Sequence, residues 1–433
     1  MITWIFVIII LLLLWFYLNG NYSTVNTNDP YVDGHVDKDF QRVKEVFRSN
    51  LTKQWEPSGA AFAVYHKNRL VVDLWGGYAD KECERLWQKD TLNVTFSSTK
   101  AVTALCMAKL VDMKKVQYDD LVTKYWPEFW KNGKEKITVQ WVMSHMAGLP
   151  YFDKHLSYED ALNNPEKISE IIENEYPKYP PGSHVGYHPV TYGWIVDQIV
   201  GRVDEKHRSL GQFYREEVQN KLEDCDYYLG LPASESHRVA RLTLPDIWQR
   251  IQEFLHNPNA VYYWRYFKDY LYKGLFYKTV ITDLPWLQFV TKMSFNNPDL
   301  WRLEQGAVMG IGTARSLAKI FQKTVMEDGF LSKDTKKTFL QPYASGEDVV
   351  TGANVLRGNG LMFSKFEINN VPQQYIGHAG VGGQNIKFDL KHDLCFAYVS
   401  NGFKGGFGDS ARTFVALRDA LYQCVLNIEN KVN

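Results

Sequence analysis

The sequence has no excess charge of either sign: 49 Lys and Arg are balanced by 49 Asp and Glu, so the formal net charge is zero. No basic stripe breaks that balance, which argues against nucleic acid as a partner. The five cysteines, Cys83, Cys106, Cys225, Cys395 and Cys424, are scattered and form no C-x-x-C pair. That removes the usual zinc and redox spacings, and the odd number leaves at least one thiol unpaired or paired between chains. The plain reading is that they serve as small buried hydrophobes. His184 and His188 stand four apart, but Gly186 and Pro189 oppose a helix there, so no metal site and no cofactor are expected. There is no repeat of solenoid or propeller period and no low-complexity block, which excludes array architectures.

What is present is apolar and aromatic. The chain has 433 residues, 45% hydrophobic and 15% aromatic, enough for one large core or two intimate ones. One long apolar run occurs: residues 2–18, ITWIFVIIILLLLWFYL, hold no charge and no breaker. The run exceeds the about 7–15 residues of a signal-peptide core and reaches the about 17–25 that can span a bilayer. Trp15, Phe16 and Tyr17 suit an interfacial belt. The expectation is a signal anchor over residues 1–20, with a cleaved signal peptide as the alternative. Sequons begin at Asn21, Asn50 and Asn93. With the anchor they lead to a glycosylated, single-pass membrane protein with a lumenal or extracellular body, or a secreted one.

Residues 21–38 are rich in Asn, Asp and Gly and read as a tether. A domain is expected over 39–430. It opens with a helix over 39–54, then two strands joined by a turn at His66, Lys67 and Asn68. Helices follow over 138–146 and 190–203, the first with His145 bracing its end, and another begins after Thr313 as its cap. Residues 205–300 are the least regular part, a helical, aromatic-rich insertion; the aromatics of 261–295 are read mainly as core, with a lid over an apolar ligand pocket as the alternative. From 358 onward the pattern turns to strands, and an amphipathic helix closes the chain. Strands at both ends with helices between them define an α/β fold, with an antiparallel sheet built from the two termini and flanked by helices.

The chemistry gathers at NVTFSSTK, residues 93–100, which runs into the apolar helix AVTALCMAKLVDMKK. A helix start favours acids and Ser/Thr caps, not lysine. Ser97 and Lys100 are three apart and share a face. In a dry space Lys100 loses part of its preference for charge and can take a proton from Ser97. The helix start also supplies free N–H groups for a developing oxyanion. Ser-x-x-Lys alone is weak evidence, since Ser316 and Lys319 have the same spacing with no chemistry around them. Asn93, four residues before Ser97, is expected to be buried and its sequon unused.

Four further segments raise that pair above chance: ITVQWVMSHMAGLP, PPGSHVGYHPVTYGW, GIGTARSLAKI and GHAGVGG, in that order after FSSTKAVTAL. Together they resemble the superfamily of serine β-lactamases, penicillin-binding proteins and family VIII carboxylesterases. The likeness is strongest to its class C-like esterase branch, which includes eukaryotic β-lactamase-domain proteins, and runs from about residue 40 to 425. The resemblance implies that Ser97 is the nucleophile, Lys100 its base partner and Tyr187 a second proton carrier. It implies that His378 to Gly380 form the strand edge beside the substrate. The N–H groups of Val381 and Ser97 would make the oxyanion hole. Two positions depart from the family pattern. Pro189 replaces the asparagine of Tyr-x-Asn, and His378 replaces the lysine of Lys-Thr-Gly.

The expected function is therefore that of a serine hydrolase working through an acyl-enzyme on a small ester or peptide, with true β-lactamase activity disfavoured. The rival is a non-catalytic binding or assembly protein on the same fold. Persistence of all three catalytic side chains argues for the enzyme. The natural substrate and the oligomeric state are not encoded legibly.

Overall fold

The structure, a computed structural model, describes residues 29–258, 263–282, 284–289, 292–405 and 408–432. Among them are thirteen strands: β1 (Val32–Val36), β2 (Gly59–His66), β3 (Arg69–Asp80), β4 (Arg85–Leu86), β5 (Asn93–Val94), β6 (Tyr227–Leu229), β7 (Gly310–Gly312), β8 (Pro342–Glu347), β9 (Asn354–Gly358), β10 (Met362–Ile368), β11 (Val371–Ala379), β12 (Asn385–Asp389) and β13 (Leu394–Ser400). Ten form one antiparallel sheet in the order β1-β3-β2-β13-β12-β11-β10-β9-β8, with β4 attached to β3. The β2–β13 pairing, with Phe62 opposite Tyr398 and Val64 opposite Phe396, joins the N-terminal strands to the C-terminal ones. The expected α/β fold, with its sheet drawn from both ends of the chain, is what the structure has.

Alternation along β2 explains why the sheet is covered on both faces. Ala60, Phe62 and Val64 enter a core shared with the helices Gln41–Thr52 and Arg412–Val432. Ala63 and Tyr65 point the other way, into a larger core that holds the helices Thr99–Asp112 and Ala314–Phe321. Thr313 caps the latter, accepting from Ser316 N–H at 3.0 Å. A second, three-stranded antiparallel sheet, β5-β7-β6, carries the chain into the Ser97 turn.

Several expectations need correction. Residues 32–36, read as tether, form the edge strand β1, with Gly34 opposite Leu74 of β3. A glycine inside a short strand reads as loop, but a Cβ at Gly34 would lie 2.0 Å from Asp73 O, so the pairing itself requires glycine. Residues 205–300 are not set apart: β6 pairs with β7, and Phe213, Tyr214 and Tyr227 lie in the main core. Asn50 cannot serve as a glycan acceptor in the folded chain. It is buried, and its Nδ2 donates to Thr413 O at 3.1 Å. Asn93 is buried as expected, donating to Val94 O and Ser400 O. All five cysteines are free; Cys106, Cys395 and Cys424 are buried, whereas Cys83 is exposed.

The single-pass membrane arrangement is also corrected. Among the described residues no helix is long and apolar enough to cross a membrane. The longest, Arg412–Val432, carries Arg418, Asp419 and Glu429 along its length. The expected span, residues 2–18, and the sequon at Asn21 lie outside the described residues.

Candidate active site

Strand β5 aims the chain at the Ser97 turn. Thr95 N–H donates to Gly310 O at 2.8 Å, and Thr95 Oγ1 lies 2.7 Å from Tyr227 OH. Phe96 then takes φ +44°, a left-handed conformation that costs a bulky residue about 1–3 kcal/mol. Packing holds it there: its ring lies 4.7 Å from Phe295, 5.1 Å from Phe403 and 6.2 Å from Phe289. The turn Phe96–Ser98 is 3-10, so the α-helix begins at Thr99, two residues later than the motif suggests. That helix is buried on nearly every face, which puts Lys100 in the interior.

Two side chains converge on the hydroxyl of Ser97. Tyr187 OH lies 2.6 Å from Ser97 Oγ, and Lys100 Nζ lies 3.2 Å from it. Lys100 Nζ also donates to Pro189 O at 2.7 Å and Ala307 O at 3.0 Å. Lys100 is fully buried and has no carboxylate partner among the described residues. Burial holds its amine well below the usual lysine range, and the Arg357 guanidinium pushes the same way. Burial raises Tyr187 to about 12, against the opposing effects of the Ser97 hydrogen bond and of Arg357.

His378 and Ala379 end strand β11, which lies between β12 and β10 in the sheet, and Gly380 follows. His378 stacks on the Tyr187 ring at 6.4 Å between centroids, 29° from parallel. Its Nδ1 faces Ala379 O at 2.7 Å, and its Nε2 is buried without a partner. Burial, the largest cause, holds His378 well below the ordinary histidine range, so the ring is neutral near pH 7. At Gly380 a Cβ would stand 2.6 Å from Thr95 O and 3.2 Å from Ser97 N, so glycine is what allows the strand end to meet the Ser97 turn. The Gly380 N–H is spent on Gln384 O at 2.7 Å. Val381 follows, partly buried against the main core.

Other groups at the site were not legible as site residues. Gln305 orients the Ala307 segment, accepting from Ala307 N at 2.7 Å while its Nε2 donates to Val190 O at 2.6 Å. His145 closes its helix by N–H donation to Val142 O, but its ring braces the tyrosine loop rather than that helix. It packs 4.9 Å from Tyr187, and its Nδ1 accepts from His188 N–H at 3.1 Å. His188 is committed too: Nε2 accepts from Leu149 N–H, and Nδ1 faces Gly186 O. Asp348 Oδ1 accepts from Tyr187 N–H at 3.1 Å, and its Oδ2 accepts from Arg357 Nη2 at 2.9 Å. Among the described residues no group of three or more His, Cys, Asp or Glu side chains is arranged to hold a metal ion.

The structure thus sets a serine at a buried helix start beside a lysine and a tyrosine. The chain belongs to the beta-lactamase family, whose family model matches residues 47–420. It is similar to the Esterase/beta-lactamase LipL of Mycobacterium tuberculosis, 28% identical over 384 residues, which cover 86% of this chain and 83% of that protein. A crystal structure of a family VIII carboxylesterase superposes with a TM-score of 0.77 at 28% identity, over 91% of this chain and 100% of that one. A penicillin-binding protein homolog from Caulobacter crescentus gives 0.74 at 30% identity, with the same two coverages. These relatives support the general class of hydrolase.

Proposed function

We propose that this protein is a serine hydrolase that forms an acyl-enzyme at Ser97 and acts on esters in preference to β-lactams, with peptides as a second substrate class. The observation that carries the reading is the set of contacts around Lys100 Nζ. A neutral amine has two N–H donors and one lone pair. Lys100 Nζ lies within hydrogen-bond reach of Pro189 O, Ala307 O and Ser97 Oγ; once the amine is neutral, its two N–H groups serve the carbonyls and its lone pair is free for the Ser97 proton. Ser97 Oγ attacks the substrate carbonyl as its proton passes to Lys100. Tyr187, a neutral phenol at physiological pH, delivers a proton to the leaving group, and Lys100 restores it. Deacylation runs the same relay with water in place of the leaving group. The N–H groups of Ser97 and Val381 receive the oxyanion.

The substrate preference rests on two side chains. Pro189 has no side-chain donor, and its carbonyl is already bound to Lys100. His378 is neutral, with Nδ1 committed to Ala379 O. Neither can grip the amide and carboxylate of a lactam as Asn and Lys would, at about 1–3 kcal/mol for each lost contact. An ester needs only nucleophile, base and oxyanion hole. The test is active-site labelling with a fluorophosphonate. An adduct on Ser97 supports the reading, and a folded protein that takes none on Ser97 refutes it.

A further inference from the structure

Arg357 lies on β9 and is buried. Its Nη2 pairs with Asp348 Oδ2, but its Nε and Nη1 are enclosed with no acceptor. A buried cation with two idle donors is costly and needs a reason. Its position supplies one. The guanidinium carbon sits 4.8 Å from the centre of the Tyr187 ring, and Lys100 Nζ sits 4.9 Å from the same centre. The Asp348 carboxylate that pairs with Arg357 also accepts from the N–H groups of Tyr187, Val350 and Thr351. Val349 N–H donates to Val185 O, so the same loop holds the tyrosine segment at two points.

We infer that Arg357 is a positioning residue whose fixed charge, seated under the Tyr187 ring and anchored by Asp348, keeps Lys100 in its neutral, proton-accepting form. The inference rests on the reading of Ser97, Lys100 and Tyr187 given above. The other titratable groups around Lys100 are His145, His188, His378, Tyr187 and Tyr192. His145, His188 and His378 are held below the ordinary histidine range by burial, and Tyr187 and Tyr192 are raised by it. Asp348 is the acid of this cluster, and Arg357 lies against it. Arg357 is the positive charge of this cluster, and both it and Lys100 lie against the Tyr187 ring. An ammonium at Lys100 would face that like charge.

The two distances to the ring centre cap the Lys100–Arg357 separation at about 9.7 Å. At an effective dielectric of about 20, a like charge at that distance lowers a lysine by about one pH unit. Removing it should raise Lys100 by that amount, so the acid limb of the reaction moves to higher pH.

The experiment measures the rate of fluorophosphonate adduct formation at Ser97 against pH, in the full chain. Arg357→Gln keeps a donor for Asp348 and removes the charge; its acid limb should move up by about one pH unit. Arg357→Lys restores the charge and should return the limb to its wild-type position. Asp348→Asn keeps the Oδ1 acceptor but leaves Arg357 uncompensated, so its limb should move down. That variant carries the test by itself if Arg357→Gln does not fold. Limbs of Arg357→Gln and wild type that superimpose, or an upward move in Asp348→Asn, overturn the proposal while the Ser97 reading stands. A wild-type chain with no adduct at Ser97 overturns both.

Discussion

Lys100→Met replaces a buried amine with a buried thioether of similar length and leaves the helix propensity almost unchanged. Two consequences can be worked out. The first is kinetic: a lost general base costs about 10²–10⁴ in kcat/KM, or about 2.7–5.5 kcal/mol at 1.36 kcal/mol per decade. The second is thermodynamic. Pro189 O and Ala307 O lose the donor they share, at about 1–3 kcal/mol for each carbonyl left buried and unpaired. Part of that loss is offset, because the fold no longer has to desolvate an amine. The variant should therefore fold, melt lower and acylate slowly. Stopped-flow release of p-nitrophenol from p-nitrophenyl acetate reads acylation, and a thermal melt reads the fold. A cooperative melt combined with less than a tenfold loss in acylation would refute Lys100 as the base.

Tyr187→Phe removes the 2.6 Å contact with Ser97 Oγ and should slow ester turnover by about 10²–10⁴; an unchanged rate would mean that another group protonates the leaving group. On one wild-type preparation, kcat/KM for short-acyl p-nitrophenyl esters should exceed that for nitrocefin by at least about 10², since two polar grips are missing; equal values would sink the argument from Pro189 and His378. The pH profile follows from the two shifts. On the proposed mechanism the neutral amine of Lys100 is the active form, so kcat/KM should fall as pH drops through its pKa, which lies well below 10.5. Tyr187, near 12, stays protonated at the upper end, so the profile should be level to about pH 10. A rate that climbs tenfold per unit through pH 10 would show that Lys100 is not depressed.

Legibility in the sequence followed the range of the interaction. Ser97 and Lys100 are three residues apart in a helix start, so their shared face can be read from spacing alone. Tyr187 and His378–Gly380 came from ordered motifs; the structure sets the Tyr187 hydroxyl on Ser97 Oγ and Gly380 against the backbone of the Ser97 turn. The carbonyls of Pro189 and Ala307 were invisible because backbone acceptors carry no residue signature. Arg357 and Asp348 were missed for a different reason. A buried ion pair and an exposed one are written with the same letters, and only the packing of β9 under the tyrosine loop separates them. Composition misled in two places. Asn50 sits in a valid sequon on an amphipathic helix, but on its inward face, and β1 was hidden by a glycine that its pairing requires.

Intact-mass and peptide mapping after fluorophosphonate treatment tests the central claim most directly. Wild-type protein should gain one phosphonyl group, carried by the peptide that contains Ser97. Ser97→Ala removes a single oxygen at a helix start and should fold normally without that adduct. A Ser97→Ala protein that labels as fast as wild type, or a folded wild-type protein modified at some other serine, would contradict the account.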